Sequence, residues 1–593
     1  MQMTNHPGMR AVTRLLGRFI LNEHVILVLL SVVIGIGVAY AAIAFRGLIA
    51  LIQGGYFGFI TEDVFTRAGA LPWWHLLLAP TVGGLVVGLL LRFAHHDEPV
   101  HGVADVIEAH ALRDARMPVK AGLWSAITSA ASLGAGASTG REGPVVHLGA
   151  VLAGWLAERL DLSPALARTL LGCGVASAVA ASFNAPIAGA IFALEVIMGH
   201  YALHAFAPIM VASVAGTIIS RIHLGNFPAF ILPDYSIQSV AEFPAFALLG
   251  VTCAAVAIAL MKGAFSAQGL FRRWVPQRWA RPVVGGLLIG LIAIAFPHVL
   301  GVGYEATDAA LKELFSFKLL VTLLILKLLA TAISLGAGFG GGVFSPSIFL
   351  GAMTGGAFGM LAAGPFPELA SSPGVYAIVG MGAVAGAVLG APFSTILIIF
   401  ELTGDYQITI AIMVATSIAS LITHQLYDES FFLVQLKRRG LNLSGGRARN
   451  LLRCRKVHTV MSGDYEALDR DATLSDIRRL IQTLPHVNLV VVGDDQRLLG
   501  VISFAEIQEM AFETNLNPNL RAGDIAREIP ILLEAGDNLE TALELLDSSG
   551  ETYIPVIEDQ RSRKVVGVVR ERDVLLAYNR AILDAGAEEH RGR

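Results

Sequence analysis

The chain has 593 residues, of which 54% are hydrophobic and only 15% are charged, and its formal net charge is −4. With a mean hydropathy of +0.63, this composition argues against a soluble globular protein and predicts a polytopic α-helical membrane protein. No basic surface for a nucleic acid is indicated. Cys173, Cys253 and Cys454 are far apart, which predicts neither a disulfide framework nor a zinc site.

The N-terminal part predicts the orientation of the chain. Residues 1–20 form a basic arm, and Leu21–Phe45 is an apolar stretch long enough for a retained membrane span. Basic residues cluster again between Lys437 and Lys456. Because basic flanks stay in the cytoplasm, both termini are predicted to be cytoplasmic in a multi-pass protein of the cell membrane or bacterial inner membrane.

Further apolar stretches follow up to Ile422, and many of them are shorter than the ~20 residues that a membrane crossing needs. Helices that stop inside a membrane are tolerated only where their ends are buried in protein or line a wet path. The pattern therefore favours a transport protein, and the lipid bilayer is its expected environment.

An internal repeat relates two parts of this region. The strings NAPIAGAIFALE and GAPFSTILIIFE end at Glu195 and Glu401, and the strings GREGP and GGVFSP end at Pro144 and Pro346 at a nearly equal offset. We predict two related halves, about residues 30–225 and about residues 245–425, as in transporters built from inverted repeats of short and broken helices. Chance similarity between small apolar residues is the alternative.

The repeated strings suit an anion. In inverted-repeat folds the N-termini of half-helices point towards the substrate. Glycine permits unusual backbone and proline fits the first helical turn, so neighbouring N–H groups remain available. Such groups, together with the helix dipole, favour an anion. The membrane region shows no carboxylate cage, no metal site and no catalytic constellation, so neither a cation substrate nor an enzyme is predicted.

Four features resemble the CLC family of chloride channels and chloride/proton antiporters: GREGP at Gly140–Pro144, GVFSP at Gly342–Pro346, FNAPIAG at Phe183–Gly189, and Tyr427 after the last span. The resemblance covers residues 21–428 and implies a homodimer with one pathway per subunit for chloride or another small anion, without a required cofactor. The anion-binding residues that it implies are His101, Gly102, Arg141, Gly143, Val343, Phe344 and Tyr427.

Glu142 is the predicted gate. A carboxylate among anion-binding amides competes with the anion for one site, so it blocks the pathway when ionised and leaves it when protonated. Conduction is therefore expected to rise as pH falls. The alternative is a carboxylate that permanently caps a helix N-terminus beside Arg141.

Two positions depart from the family pattern. VHGVA at Val100–Ala104 stands where the family typically has GSGIP, which places His101 at the position of a serine that meets the central anion. His101 either keeps chloride affinity through an imidazole N–H, or shifts selectivity, or faces a wet vestibule.

The second departure concerns coupling. Proton-coupled members carry a glutamate after the position of Glu195, and here that position is Val196. Passive chloride conduction is favoured, and a chloride/proton antiporter with another proton route is the alternative. Glu195 and Glu401 are interpreted as polar ends of short helices that bond nearby backbone. Preference among chloride, nitrate and fluoride stays open.

After a basic linker at 429–455 the pattern becomes soluble and repeats itself. GVISFAEI at Gly500–Ile507 matches GVVRERDV at Gly567–Val574, and each unit indicates a strand, helix, strand, strand, helix order. The region resembles a cytoplasmic α/β pair of CBS modules at 456–515 and 520–580, followed by a tail at 581–593. CBS modules also occur on divalent-cation transporters, which the scarcity of acidic ligands in the membrane region disfavours.

The CBS resemblance implies an adenine nucleotide between the modules or, alternatively, a dimerising appendage without ligand. Ser503 and Glu506 match the nucleotide-binding string of the first module, and Asp573 matches its acid in the second. Arg570 replaces the expected hydroxyl, and a guanidinium there suits phosphate instead.

Overall fold

The structure is a computed structural model that describes residues 23–94, 99–201, 203–225, 237–364, 370–427, 429–441, 452–453, 455–483, 489–493, 496–502, 520–527, 531–549, 551 and 553–590. Two compact units separate at Leu441. The first is helical and the second contains helices and strands.

The first unit consists of helices joined by loops. They are α1 (Glu23–Phe57), α2 (Val64–Gly69), α3 (Trp73–Phe93), α4 (Val103–Leu112), α5 (Val119–Gly134), α6 (Glu142–Arg159), α7 (Pro164–Phe183), α8 (Pro186–Phe192), α9 (Leu203–Leu224), α10 (Phe243–Trp274), α11 (Arg281–Ala295), α12 (Tyr304–Leu311), α13 (Phe317–Ala337), α14 (Phe344–Ala363), α15 (Pro373–Leu389), α16 (Pro392–Thr403), α17 (Tyr406–Tyr427) and α18 (Phe431–Arg438). A π-helical segment, Ala193–Met198, continues α8.

The described part of the chain contains nine helical segments that are long and apolar enough to cross a membrane. Shorter apolar segments are Pro186–Met198, Pro373–Leu389 and Pro392–Thr403. Large apolar side chains such as Leu29 and Leu51 face outwards. Apolar side chains on the outer surface suit lipid better than water. The lengths and surfaces of these helices therefore agree with the predicted mixture of spanning helices and shorter, broken helices.

Reciprocal helix caps relate the two halves. Glu401 accepts hydrogen bonds from the backbone N–H groups of Ile187 at 3.0 Å and Ala188 at 2.8 Å, at the start of α8. Glu195 accepts the equivalent bonds at the start of α16, also at 3.0 and 2.8 Å. Carboxylates satisfy the orphan N–H groups of a helix N-terminus and complement its dipole. These contacts confirm the interpretation of both glutamates as backbone-bonded polar ends.

A second reciprocal pair lies beside the predicted pathway. The Gly340 N–H donates to the Ser132 hydroxyl at 2.9 Å, and the Ser138 N–H donates to the Ser334 hydroxyl at 3.0 Å. Ser132 belongs to α5 and Ser334 to the corresponding helix α13. Each half therefore anchors the loop that precedes the other half's central helix, as expected for repeated halves that meet at a common interface.

The second unit contains two small sheets of identical topology. Its elements are β1 (Glu466–Asp469), α19 (Leu474–Thr483), β2 (Leu489–Val492), β3 (Leu498–Ile502), α20 (Ala522–Ile525), β4 (Leu533–Glu534), α21 (Leu539–Ser549), β5 (Tyr553–Ile557), β6 (Val565–Arg570) and α22 (Glu571–His590). In each sheet the first strand pairs in parallel with the second, and the second pairs antiparallel with the third. Apolar side chains of both sheets share one core, so the second predicted repeat is present.

Candidate anion pathway

Two loop–helix junctions, one from each half, meet inside the first unit. Gly140 and Gly342 form an antiparallel bridge in which each N–H donates to the other residue's C=O at 2.7 Å. Immediately after this bridge, α6 begins at Glu142 and α14 begins at Phe344. Two helix N-termini therefore lie next to each other, and their N–H groups and dipoles favour negative charge there.

Glu142 lies at this meeting point and is only 2% exposed. Its Oε1 accepts a hydrogen bond from the Tyr304 hydroxyl at 2.7 Å, and its Oε2 accepts one from the Ser345 hydroxyl at 2.6 Å. An ionised carboxylate accepts both of these bonds. Hydrogen bonds to a charged group are stronger than hydrogen bonds between neutral groups. Ser345 lies within the GVFSP string, whereas nothing in the sequence marks Tyr304.

A cavity of about 480 Å³ reaches these helix N-termini. The sequence-predicted residues that line it are His101, Gly102, Glu142, Gly143, Val343 and Phe344. Aromatic rings complete part of the wall, namely those of Phe192, Phe339, Phe431 and Phe432. The structure therefore brings together residues that are more than 200 positions apart in the chain.

Arg141 was predicted among the anion-binding residues, but its side chain is directed elsewhere. Its guanidinium donates to Glu62 at 2.7 Å and lies 4.7 Å from the centre of the Tyr304 ring. Arg141 is absent from the cavity wall. Glu62 and the aromatic ring of Tyr304 therefore neutralise and cover the Arg141 guanidinium.

Tyr427 was also predicted at the anion, and the structure places it differently. It ends α17, with the ammonium of Lys262 5.9 Å from its ring, and it is not part of the cavity wall. The chain turns after α17, and α18 starts with Phe431 and Phe432, which do line the cavity. Among the described residues of this segment and of α18, those that line the cavity carry no hydroxyl group.

His101 is fixed at the cavity wall by several contacts. Its Nδ1 is 3.0 Å from Asp105 Oδ1, its backbone N–H donates to the Ser125 hydroxyl at 3.1 Å, and its ring stacks on His147 with centroids 5.6 Å apart. Asp105 also accepts from the Gly102 N–H at 2.7 Å and from the Arg439 guanidinium at 2.8 Å.

Arginines form another part of the same wall. They come from the end of α10, the start of α11 and the end of α18, and they are Arg272, Arg278, Arg281, Arg438 and Arg439. A guanidinium is always protonated, so these side chains concentrate anions in the cavity. In the sequence, Arg438 and Arg439 stand out only as basic residues near the linker. The basic segment between α10 and α11 is the signal from which the other three arginines could have been predicted.

Of the remaining predicted site residues, one belongs to the first unit and four belong to the second. Val196 lies in the π-helical segment, beside the Glu195 carboxylate that caps α16. In the second unit the Arg570 guanidinium donates to the Asp464 carboxylate at 2.8 Å, and Asp573 lies in the first turn of α22. Ser503 and Glu506 lie outside the described residues.

Both the helical unit and the unit of helices and strands match known protein families. The chain matches the family described as voltage gated chloride channel over residues 83–424, and the CBS domain over residues 457–511 and 522–580. A ClcB-like chloride channel protein of Ralstonia nicotianae is 34% identical over 409 residues, which cover 68% of this chain and 95% of the relative. Chloride channel protein CLC-e of Arabidopsis thaliana is 32% identical, over 59% of this chain and 52% of the relative.

Solved structures share the fold. A slow cyanobacterial Cl⁻/H⁺ antiporter superposes with a TM-score of 0.63 at 22% identity, over 70% of this chain and 97% of that one. A eukaryotic CLC transporter gives 0.62 at 19% identity, over 92% and 97%. A CLC-type fluoride/proton antiporter gives 0.57 at 24% identity, over 70% and 98%. The chain belongs to the voltage-gated chloride channel (CLC) family, with a multi-pass α-helical membrane unit of two inverted repeats and a C-terminal pair of CBS domains.

Proposed function

We propose that this protein conducts chloride across the membrane through the arginine-lined cavity, with Glu142 as the gate. The observation that carries the proposal is a buried carboxylate at the meeting point of two helix N-termini, held there by the hydroxyls of Tyr304 and Ser345. In this position the ionised side chain takes the place that the amides offer to an anion. Protonation removes its charge and lets chloride replace it.

We further propose passive conduction. Val196 occupies the position at which coupled relatives have a proton-relaying glutamate. A valine side chain cannot bind or release a proton. The adjacent Glu195 carboxylate already accepts hydrogen bonds from backbone N–H groups at the start of α16. Because two structural neighbours are described as a chloride/proton and a fluoride/proton antiporter, coupled exchange and fluoride transport are the rival functions.

Chloride efflux from proteoliposomes, with the external pH recorded at the same time, distinguishes these functions. We expect efflux without stoichiometric proton uptake, and no uphill chloride movement when only a proton gradient is applied. Tight proton coupling would instead establish an antiporter with another proton route. Efflux of fluoride that clearly exceeds that of chloride would assign the protein to fluoride transport.

The wider arrangement is part of the same proposal. The protein acts as a homodimer in a cell membrane, with the membrane domain at 21–428, and the arm 1–20, the linker and the CBS modules in the cytoplasm. The CBS pair serves as a regulatory appendage that takes an adenine nucleotide. Since Arg570 already pairs with Asp464, a phosphate group there competes with that carboxylate.

Replacing Tyr304 with phenylalanine is expected to raise chloride efflux at pH 7.5 roughly tenfold. The change removes one of the hydroxyls that hold ionised Glu142, and a hydrogen bond to a charged group contributes about 1.5–3 kcal/mol. Tyr376→Phe is the matched control, because the Tyr376 hydroxyl contacts a different carboxylate, that of Glu242. Equal efflux from Tyr304→Phe and wild-type protein would show that this bond does not hold the gate.

A further inference from the structure

Lys327 is a basic residue in the middle of the apolar helix α13, which is long enough to cross a membrane. Its surface is 0% exposed. A charged side chain at membrane depth is costly and usually has a function. We infer that Lys327 is a positioning residue for the gate, because it fixes the loop from which the Tyr304 hydroxyl reaches Glu142. The inference rests on the proposed function, since it requires Glu142 to be the gate.

The Lys327 ammonium donates hydrogen bonds to two backbone carbonyl groups. Its Nζ lies 2.9 Å from the Gly301 oxygen, 3.1 Å from the Val299 oxygen and 5.0 Å from the centre of the Phe349 ring. Carbonyl oxygens and the face of an aromatic ring both stabilise a cation. In the part of the chain that the structure describes, no carboxylate pairs with this ammonium. The loop at 299–301 therefore supplies the oxygen atoms that compensate the buried charge.

This loop leads directly into α12, and its last residue packs on the lysine. A Cβ added to Gly303 would lie 3.1 Å from Lys327 Nζ and 2.8 Å from Phe349 Cδ2, and Gly303 has a φ of +91°, which favours glycine. The next residue is Tyr304, whose hydroxyl donates to Glu142 at 2.7 Å. The contacts of Lys327 therefore determine where the first residue of α12 lies relative to the gate.

The same side chain contacts a second element of the gate. Phe349 lies on α14, which also supplies the Ser345 hydroxyl that donates to Glu142. The Gly301 N–H, in turn, donates to the Gly136 C=O at 3.2 Å, in the loop before α6. The contacts of one amino group thus connect α12, α14 and the loop before α6, and all three meet at the gate.

A direct effect of charge is the alternative to positioning. Arg141 and Tyr304 are the ionisable side chains that interact electrostatically with Glu142. Among the described residues, Lys327 has no ionisable neighbour, and its contacts are the two carbonyl groups and the ring of Phe349. Its route to the gate therefore leads through the loop and Tyr304.

Chloride efflux from proteoliposomes, recorded between pH 4.5 and 7.5, tests the inference with Lys327→Met. Methionine is a long, unbranched side chain that donates no hydrogen bond, so the loop loses its anchor and the Tyr304 bond to ionised Glu142 weakens. We expect efflux at pH 7.5 to rise about fivefold, and the midpoint of the pH profile to move upwards by about 0.7 pH unit, less than full loss of that bond would produce. The expected rise is therefore smaller than that of Tyr304→Phe.

The double variant Lys327→Met/Tyr304→Phe tests whether the two residues act through the same bond. Its efflux at pH 7.5 should stay within about twofold of that of Tyr304→Phe, because a bond that is already absent cannot be weakened further. If the double variant instead showed the product of the two single effects, Lys327 would act on Glu142 without Tyr304, and the inference would be overturned.

Two further variants complete the test. Lys318→Met is the matched control, because Lys318 is exposed on the same helix α13, and it should keep the wild-type pH profile. Lys327→Arg keeps the charge but replaces the amino group with a planar fork of different shape. We expect it to raise efflux at pH 7.5 by about twofold, whereas a direct effect of charge predicts no change. This variant also tests the inference if Lys327→Met does not fold.

Thermal unfolding of the same proteins separates positioning from a purely structural role. Lower stability of Lys327→Met with an unchanged pH profile of efflux would overturn the inference and leave the proposed function intact. If Glu142→Gln and Tyr304→Phe also kept the wild-type pH profile, the proposed function would be overturned as well.

Discussion

Glu142→Gln is expected to raise chloride flux at neutral pH by about two orders of magnitude and to make flux at saturating chloride independent of pH. Glutamine has nearly the shape of glutamate but carries no charge at any pH. It therefore loses the charge-assisted bonds from Tyr304 and Ser345, which together contribute about 3–6 kcal/mol to the closed position. Chloride then occupies the helix N-termini without waiting for a proton.

The measurement is chloride efflux from proteoliposomes between pH 4.5 and 7.5, at chloride concentrations that saturate the cavity. Saturation separates the gate from any effect of pH on chloride affinity. Glu158→Gln is the matched control, because Glu158 is an exposed carboxylate on the same helix α6. If the Glu142→Gln protein kept the pH dependence of the wild type under these conditions, Glu142 would not be the gate.

The repeated halves were predictable because their signals are local in the sequence. Proline at the start of a helix and glycine in the preceding loop indicate a helix N-terminus without reference to the rest of the fold. The same strings occur twice, so the meeting of Gly140 with Gly342 follows from the pairing of equivalent loops. Glu142 belongs to the same string as Gly140, so the position of its carboxylate at this junction was predictable as well.

The partners of these groups were not predictable, because they depend on packing between distant segments. Tyr304 starts a short helix without a motif of its own, and only the fold brings its hydroxyl to Glu142. The position of Tyr427 outside the cavity wall was not predictable, because a short segment separates the end of α17 from the start of α18. A single residue without a motif around it cannot determine which side of that segment reaches the cavity. The pairing of the Arg141 side chain with Glu62 was not predictable either, because Glu62 lies in a distant loop.

The loop that carries α14 meets the corresponding loop of the other half at Gly341. Gly341 has a φ of +144°, in the region that favours glycine, and an added Cβ would lie 2.1 Å from Thr139 Oγ1 and 2.5 Å from Thr139 Cβ. Thr139 belongs to the loop of the other half, so the two loops approach each other closely enough to exclude any side chain at position 341. Gly341→Ala is therefore expected to destabilise the fold by about 2–6 kcal/mol, from backbone strain and overpacking together.

Thermal unfolding of the purified protein, together with chloride efflux, measures this effect. Gly404→Ala is the control for backbone strain alone, because Gly404 has a φ of +66° and an added Cβ there meets no atom within 4 Å. The double variant Gly341→Ala/Thr139→Gly removes both atoms in the clash and should recover part of the lost stability. Recovery of stability with restored efflux would show that the close contact between the two loops, rather than either loop by itself, holds the helix N-termini at the anion pathway. A Gly341→Ala protein as stable as Gly404→Ala would contradict this account of the junction.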